Sequence, residues 1–162
     1  MRVARVRDVK LPERGTSKSA GIDFFVPNTF VSTLLLPGYD MLIPSGIKAD
    51  IPEGYMLMAA EKSGVVTSKD ATILNGREPK ADAYDTVVIL GAKIVDEDYQ
   101  GEIHIHVINV GKNGVLIKPG KKLAQFILVP VSYDGIEEVA ESDLFAEASE
   151  RGEGGFGSTN KE

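Results

Sequence analysis

The residues best suited to chemistry by type and spacing lie near the C-terminus. Arg151-Gly152-Glu153-Gly154-Gly155-Phe156-Gly157-Ser158-Thr159 places a guanidinium, four glycines, an aromatic ring and two hydroxyls within nine residues. Glycines let backbone N–H groups close on an anion, the hydroxyls add donors, and Arg adds a bidentate cation. Phe156, set between glycines, is a poor core residue but a good lid for a flat ring. The same stretch also reads as a flexible tail with an incidental Phe, because it cannot bury enough surface to order itself. Gly152, Gly154 and Gly157 spell a literal G-x-G-x-x-G, but a dinucleotide fold needs a helix and a further strand after it. Only five residues follow Gly157, so the motif fails as that fingerprint. His104 and His106 alternate with Ile103, Ile105 and Val107 and therefore point to one face of a strand. Paired His at i and i+2 can bind metal, yet no third ligand is apparent. Taken alone, Asp96-Glu97-Asp98 reads more readily as a solvated acidic turn than as a catalytic group, and Tyr99 reads equally as an ordinary aromatic at a strand start or as a site residue.

Such residues need a scaffold, and the periodicity supplies a β one. Runs at 29–36, 39–43, 47–51, 55–60, 86–90, 103–110, 115–117 and 123–131 are stopped by Pro/Gly turns, the pattern of an all-β sandwich or barrel. Pro130 places the end of the last run at an edge or a strand terminus. Helix evidence is confined to a short stretch at 63–69 and to 136–148, where Glu and Ala favour helix but the apolar residues keep no steady stripe. One domain is expected from 162 residues, with a single core. The absence of Cys excludes a disulfide scaffold, a thiol nucleophile and a thiolate metal site. Apolar stretches of four or five residues are too short to span a membrane, and the first seven residues lack the apolar run of a secretory signal. A soluble, cytoplasmic protein is expected. The net charge of −6 argues against nonspecific nucleic-acid binding, which needs clustered cations. The charge is uneven: residues 1–18 carry six bases and two acids, whereas residues 134–153 carry eight acids and one base, Arg151.

Five segments occur in a telling order: Ser19-Ala20-Gly21-Ile22-Asp23-Phe24; Glu61-Lys62-Ser63-Gly64; the run from Gly91-Ala92-Lys93-Ile94-Val95-Asp96 through Tyr99-Gln100-Gly101-Glu102; Gly120-Lys121-Lys122-Leu123-Ala124-Gln125; and the glycine-rich tail. Together they resemble the five motifs of the homotrimeric dUTP pyrophosphatases (dUTPases), from Ala20 to Thr159. The resemblance implies a distorted jelly-roll or β-barrel over 1–150, with at most one short helix. It also implies a flexible glycine-rich arm over 151–162 that closes over an active site. The implied reaction is Mg²⁺-dependent hydrolysis of dUTP to dUMP and pyrophosphate, which limits uracil in DNA and supplies dUMP for thymidylate synthesis.

In that family pattern Asp96 is the general base that orients water toward the α-phosphorus. Tyr99 lies under the deoxyribose, and the hairpin of Gly91, Lys93 and Ile94, returning through His104, pairs with the uracil edge. Lys62, Ser63, Gly64 and Gln125 contact phosphates, while Asp23 holds waters of a substrate-chelated Mg²⁺. Arg151, Phe156, Gly157 and Ser158 belong to an arm contributed by another subunit of the trimer, with the ring stacking on uracil.

The chain departs from the pattern in four places. Lys62 stands where Arg is usual, which loses the bidentate fork. Lys121-Lys122 replaces Asp-Arg, and Lys93 replaces a glycine. An insertion near 70–85 roughly doubles the usual spacing between the second and third motifs and is expected to project near the site without replacing any motif. Two alternatives stay open. A dCTP deaminase of the same fold would need a Glu where this chain has His106, three residues before Asn109. A non-catalytic dUTP-binding β module would bind without turnover.

Overall fold

Glycine sets strand boundaries where the chain must reverse. Gly46 (φ 74°) and Gly54 (φ 76°) adopt the left-handed region, which L side chains rarely enter, and each separates two strands. The structure, a computed structural model, describes residues 1–62 and 88–153. Within them run β1 (Arg2–Arg5), β2 (Glu13–Arg14), β3 (Ile22–Phe25), β4 (Thr33–Leu35), β5 (Asp40–Pro44), β6 (Ile47–Asp50) and β7 (Tyr55–Glu61), followed by β8 (Val88–Leu90), β9 (Ile94–Val95), β10 (His104–Asn109), β11 (Val115–Ile117) and β12 (Lys122–Pro130). The expected helix at 63–69, the insertion near 70–85 and the tail from 154 onward lie outside the described residues.

Up to Ser132 the chain forms one compact unit. A five-stranded sheet runs in the order β2-β3-β12-β7-β9, a three-stranded sheet in the order β5-β10-β8, and β1-β6 and β11-β4 form two-stranded pairs. All pairings are antiparallel. The core lies between the sheets, with Phe24 and Phe126 buried and their ring centroids 4.4 Å apart. Ile43, Ile105 and Val107 of the three-stranded sheet join it, with Ile103 just ahead of β10. Between Lys122 and Ala124 the register of β12 against β3 shifts by a bulge. An extra residue there breaks the in/out alternation, which is why Leu123 and Ala124 are buried in succession.

Several elements differ from the sequence expectation. Only Thr33–Leu35 of the run at 29–36 is strand, because residues 27–30 turn through a Phe30 N–H to Pro27 carbonyl bond and Val31 projects into solvent. β1 shows no apolar face, all four residues being exposed, and β3 shows no alternation because all four residues are buried. Neither carries a period of two. Pro130 closes β12, as expected for a residue without a ladder donor.

Tyr133–Glu162 form a second unit. Within its described residues the only regular element is a 3₁₀ turn at Glu141–Asp143 without a side-chain cap. No α-helix forms over 136–148; Ile136 and Phe145 are exposed there. None of the helices among the described residues is long and apolar enough to cross a membrane.

Candidate functional site

Two clusters stand out, one on the five-stranded sheet and one lined by β9 and β12 of that sheet together with β5 and β10 of the three-stranded sheet. At the first, strand pairing sets Asp23 opposite Gln125, and Gln125 opposite Ala60. Lys62, one residue past β7, reaches back to Asp23 Oδ1, while Lys122 Nζ donates to Asp23 Oδ2 at 2.9 Å. Lys122 also lies 3.2 Å from Glu13. Burial pushes the Asp23 carboxyl up, but the hydrogen bonds from Lys62 and Lys122 outweigh it and leave the group below its ordinary range. Gln125 Nε2 donates to the Glu61 carbonyl at 3.0 Å. A Cβ at Gly21 would fall on the Gln125 side chain, so any other residue there would displace it. The result is a corner with two lysines on one carboxylate, beside the backbone that leads to Ser63 and Gly64, which themselves lie outside the described residues.

The second cluster is a cavity of about 170 Å³ lined by Ile94, Asp96, Tyr99 and His104, with Leu42, Ala92, Val95, Ile103 and Phe126. Four sequence-predicted residues from β9, its following turn and β10 thus share one wall. Tyr99 is fixed by its hydroxyl donating to the Glu102 carbonyl at 3.0 Å, and His104 Nδ1 lies 2.8 Å from that same oxygen. Gly101 leaves room for the Tyr99 ring, on which a Cβ would fall. Glu102 in turn is bound by Arg7 at 2.7 and 3.0 Å and accepts from Gly46 N–H at 2.7 Å. The Arg7 hydrogen bond, aided by the Gly46 amide, holds this carboxyl below its usual range against burial.

The turn from Leu90 to Val95 bounds the cavity and carries Gly91 and Lys93. Glu61 Oε1 accepts from Leu90 N–H at 3.2 Å and from Lys93 Nζ at 2.7 Å, and the lysine draws its carboxyl below the ordinary range. Lys93 therefore uses its side chain on the scaffold, and its carbonyl accepts from Ala59 N–H at 2.7 Å. Glu61 joins the two clusters, its carbonyl on the corner and its carboxylate on the turn.

His104 and His106 share a face, as the alternation required: the burial along β10 alternates strictly. His106 Nε2 lies 2.9 Å from Asp40 Oδ2, but the described residues contain no cluster of three or more His, Cys, Asp or Glu that could hold a metal. Among the described residues, the one buried carboxylate that suits a hard dication is that of Asp23, whose oxygens keep spare lone pairs beside the lysine bonds. Such an ion takes most of its ligands from water and phosphate, as Mg²⁺ commonly does.

Of the remaining expected residues, Arg151 belongs to the second unit, in a turn where Gly152 N–H meets the Ser149 carbonyl at 3.0 Å. Phe156, Gly157 and Ser158 lie outside the described residues. Glu61, Glu102, Arg7 and Asp40 were not singled out from the sequence as supporting groups. Only Glu61 and Glu102 fall inside a motif, and nothing local signals what they hold.

The fold defines the class: an all-β, jelly-roll-like protein of the kind seen in solved dUTPases. The dUTPase of Staphylococcus bacteriophage 80alpha superposes with a TM-score of 0.73 at 22% identity, covering 97% of this chain and 96% of that one. The dUTPase of phage phi11 of S. aureus superposes with a TM-score of 0.67 at 20% identity, covering 89% and 98%. Residues 37–160 match the dUTPase family model. Deoxyuridine 5'-triphosphate nucleotidohydrolase of Chlamydia pneumoniae is 37% identical over 150 residues, 93% of this chain and 90% of that protein. The enzyme of that name from Fusobacterium nucleatum is 32% identical over 162 residues, 99% of this chain and 97% of that protein. The chain belongs to the dUTPase family.

Proposed function

We propose that this protein hydrolyses dUTP to dUMP and pyrophosphate. One observation carries the proposal beyond family membership: Ile94, Asp96, Tyr99 and His104 line a single cavity of about 170 Å³. Asp96 orients a water and takes its proton as the water oxygen bonds to the α-phosphorus. The bond from that phosphorus to the bridging oxygen breaks, and pyrophosphate leaves with the electron pair. Tyr99 underlies the deoxyribose and leaves no room for a 2′-hydroxyl. The backbone of Gly91, Lys93 and Ile94, with that of His104, reads the uracil edge.

Lys62 and Gln125 at the charged corner, with Ser63 and Gly64, contact the phosphates. Bound Mg²⁺ would neutralise triphosphate charge, with Asp23 accepting hydrogen bonds from its waters. Arg151, Phe156, Gly157 and Ser158, over residues 151–162, act on a neighbouring subunit's site in a homotrimer, with Arg151 on the γ-phosphate and Phe156 on the base. Cytoplasmic action, limiting uracil in DNA and supplying dUMP, belongs to the same proposal.

Pyrophosphate release from dUTP with Mg²⁺, abolished by EDTA, is the expected result. Tight dUTP binding without turnover would leave a binding module, and ammonia release from dCTP would make it a deaminase. Sedimentation should give three times the 17.4 kDa chain mass.

A further inference from the structure

The turn between β8 and β9 reads a base edge only if its peptide planes are fixed, and one amide in it is held by a side chain outside the cavity wall. Gly91 N–H donates to the His106 carbonyl at 2.9 Å, and the next amide, Ala92 N–H, donates to His106 Nδ1 at 3.1 Å. A backbone amide can only donate, so Nδ1 must be the bare nitrogen. The proton is then on Nε2, which donates to Asp40 Oδ2 at 2.9 Å. Asp40 thereby selects the tautomer that lets the ring accept. The ring and Gly91 are fitted to each other: a Cβ at position 91 would fall on the imidazole. Ala92 lines the cavity and His106 does not, so the ring acts through the turn.

We propose that His106, in the tautomer set by Asp40, is a positioning residue for base specificity. It fixes the sense of the Ala92 peptide and, through it, the donor and acceptor order that the turn offers to a pyrimidine. Uracil and cytosine differ by reversal of that order at N3 and the 4-position, so a turn free to rotate a peptide accepts both. A rigid one leaves the wrong base with unpaired groups. This rests on the dUTP reading above.

The test compares wild type with His106→Leu, His106→Asn and Asp40→Ala, using dUTP and dCTP as substrates. In each variant the exchange rate of the Ala92 amide is followed by NMR. In His106→Leu the KM for dUTP should rise about 5- to 10-fold, the scale of one lost hydrogen bond, with kcat within about 2-fold. The ratio of kcat/KM for dUTP over dCTP should fall, and Ala92 should exchange faster while Val107 in β10 stays protected. His106→Asn offers Oδ1 in place of Nδ1 and should recover most of the ratio; Asp40→Ala should fall between.

The proposal is overturned if wild type hydrolyses dUTP and His106→Leu keeps both its KM and its ratio. It is equally overturned if Asn rescues no better than Leu, which would leave His106 as filler. A wild type inactive on dUTP instead defeats the dUTPase reading. In that case unchanged Ala92 exchange in His106→Leu overturns the positioning role, and accelerated exchange supports it.

Discussion

The charged corner and the Leu90–Val95 turn meet at Glu61 yet are built on different principles. The corner relies on side-chain charge: Asp23 binds Lys62 and Lys122 on flexible stems, and an ammonium attracts a phosphate from many geometries. In the proposed function the turn works through its backbone, and a peptide group is useful there only in one orientation. It is accordingly the more heavily tied of the two although Ala92, Lys93 and Ile94 are exposed. Glu61 holds Leu90 and Lys93, while His106 holds Gly91 and Ala92. Recognition by charge tolerates slack, whereas recognition by hydrogen-bond order needs support from behind.

The sharpest way to divide the clusters is to remove chemistry from one and leave its geometry alone. Asp96→Asn should lower kcat by about 10²-fold or more, the scale of general-base loss, with the melting temperature unchanged; a rate within a few-fold of wild type would strip Asp96 of that role.

Asp23→Asn should act in the opposite sense. It leaves two ammonium groups beside an uncharged amide, so it should cost on the order of 2 kcal/mol by urea denaturation and weaken dUTP binding more than it slows turnover. The pH dependence gives the sign. The folded-state pKa of Asp23 lies below its ordinary value, so its stabilisation is present above about pH 4 and is lost as pH falls through the lower folded value. Wild type should therefore lose stability on the acid side, with Glu61 and Glu102 contributing in the same direction. The acid limb should be shallower in Asp23→Asn, and identical limbs would deny the corner its electrostatic character.

The smallest effect is expected at Lys93→Ala. The ion pair with Glu61 is partly exposed on both sides, and exposed pairs are worth about 0–1 kcal/mol. Glu61 would still accept from Leu90, so dUTP affinity should change less than about 3-fold. A larger loss would mean that the turn depends on charge as much as the corner does.

These differences also mark what the sequence made legible. Asp96 with Tyr99 and Lys62 before Ser63-Gly64 were marked only by their place in the five ordered motifs, whereas the His pair showed by local spacing, on one strand face. The strands that alternate were visible for the same reason, while β3 was hidden by burial of all four residues and β1 by exposure of all four. The supports were not legible. Arg7 reaches Glu102 across 95 positions and Asp40 reaches His106 across 66. Such a pair is created by topology, and neither partner shows a local pattern that distinguishes it from an ordinary surface charge. Nor did spacing foretell that Lys122 would share Asp23 with Lys62, because the bulge near Leu123 intervenes in the register.

The position of β12 between β3 and β7 also governs the order in which the molecule can be assembled. Residues 22–25 and 55–61 leave the ribosome well before 122–130, which pair with both. Until then each of those strands has an open edge, and Phe24 lacks the ring it stacks against. A chain whose central strand comes late folds through non-local pairings, which are slow to form. In the interval its exposed edges are open to other chains. The strand that completes the charged corner is thus also the one on which escape from aggregation during synthesis depends.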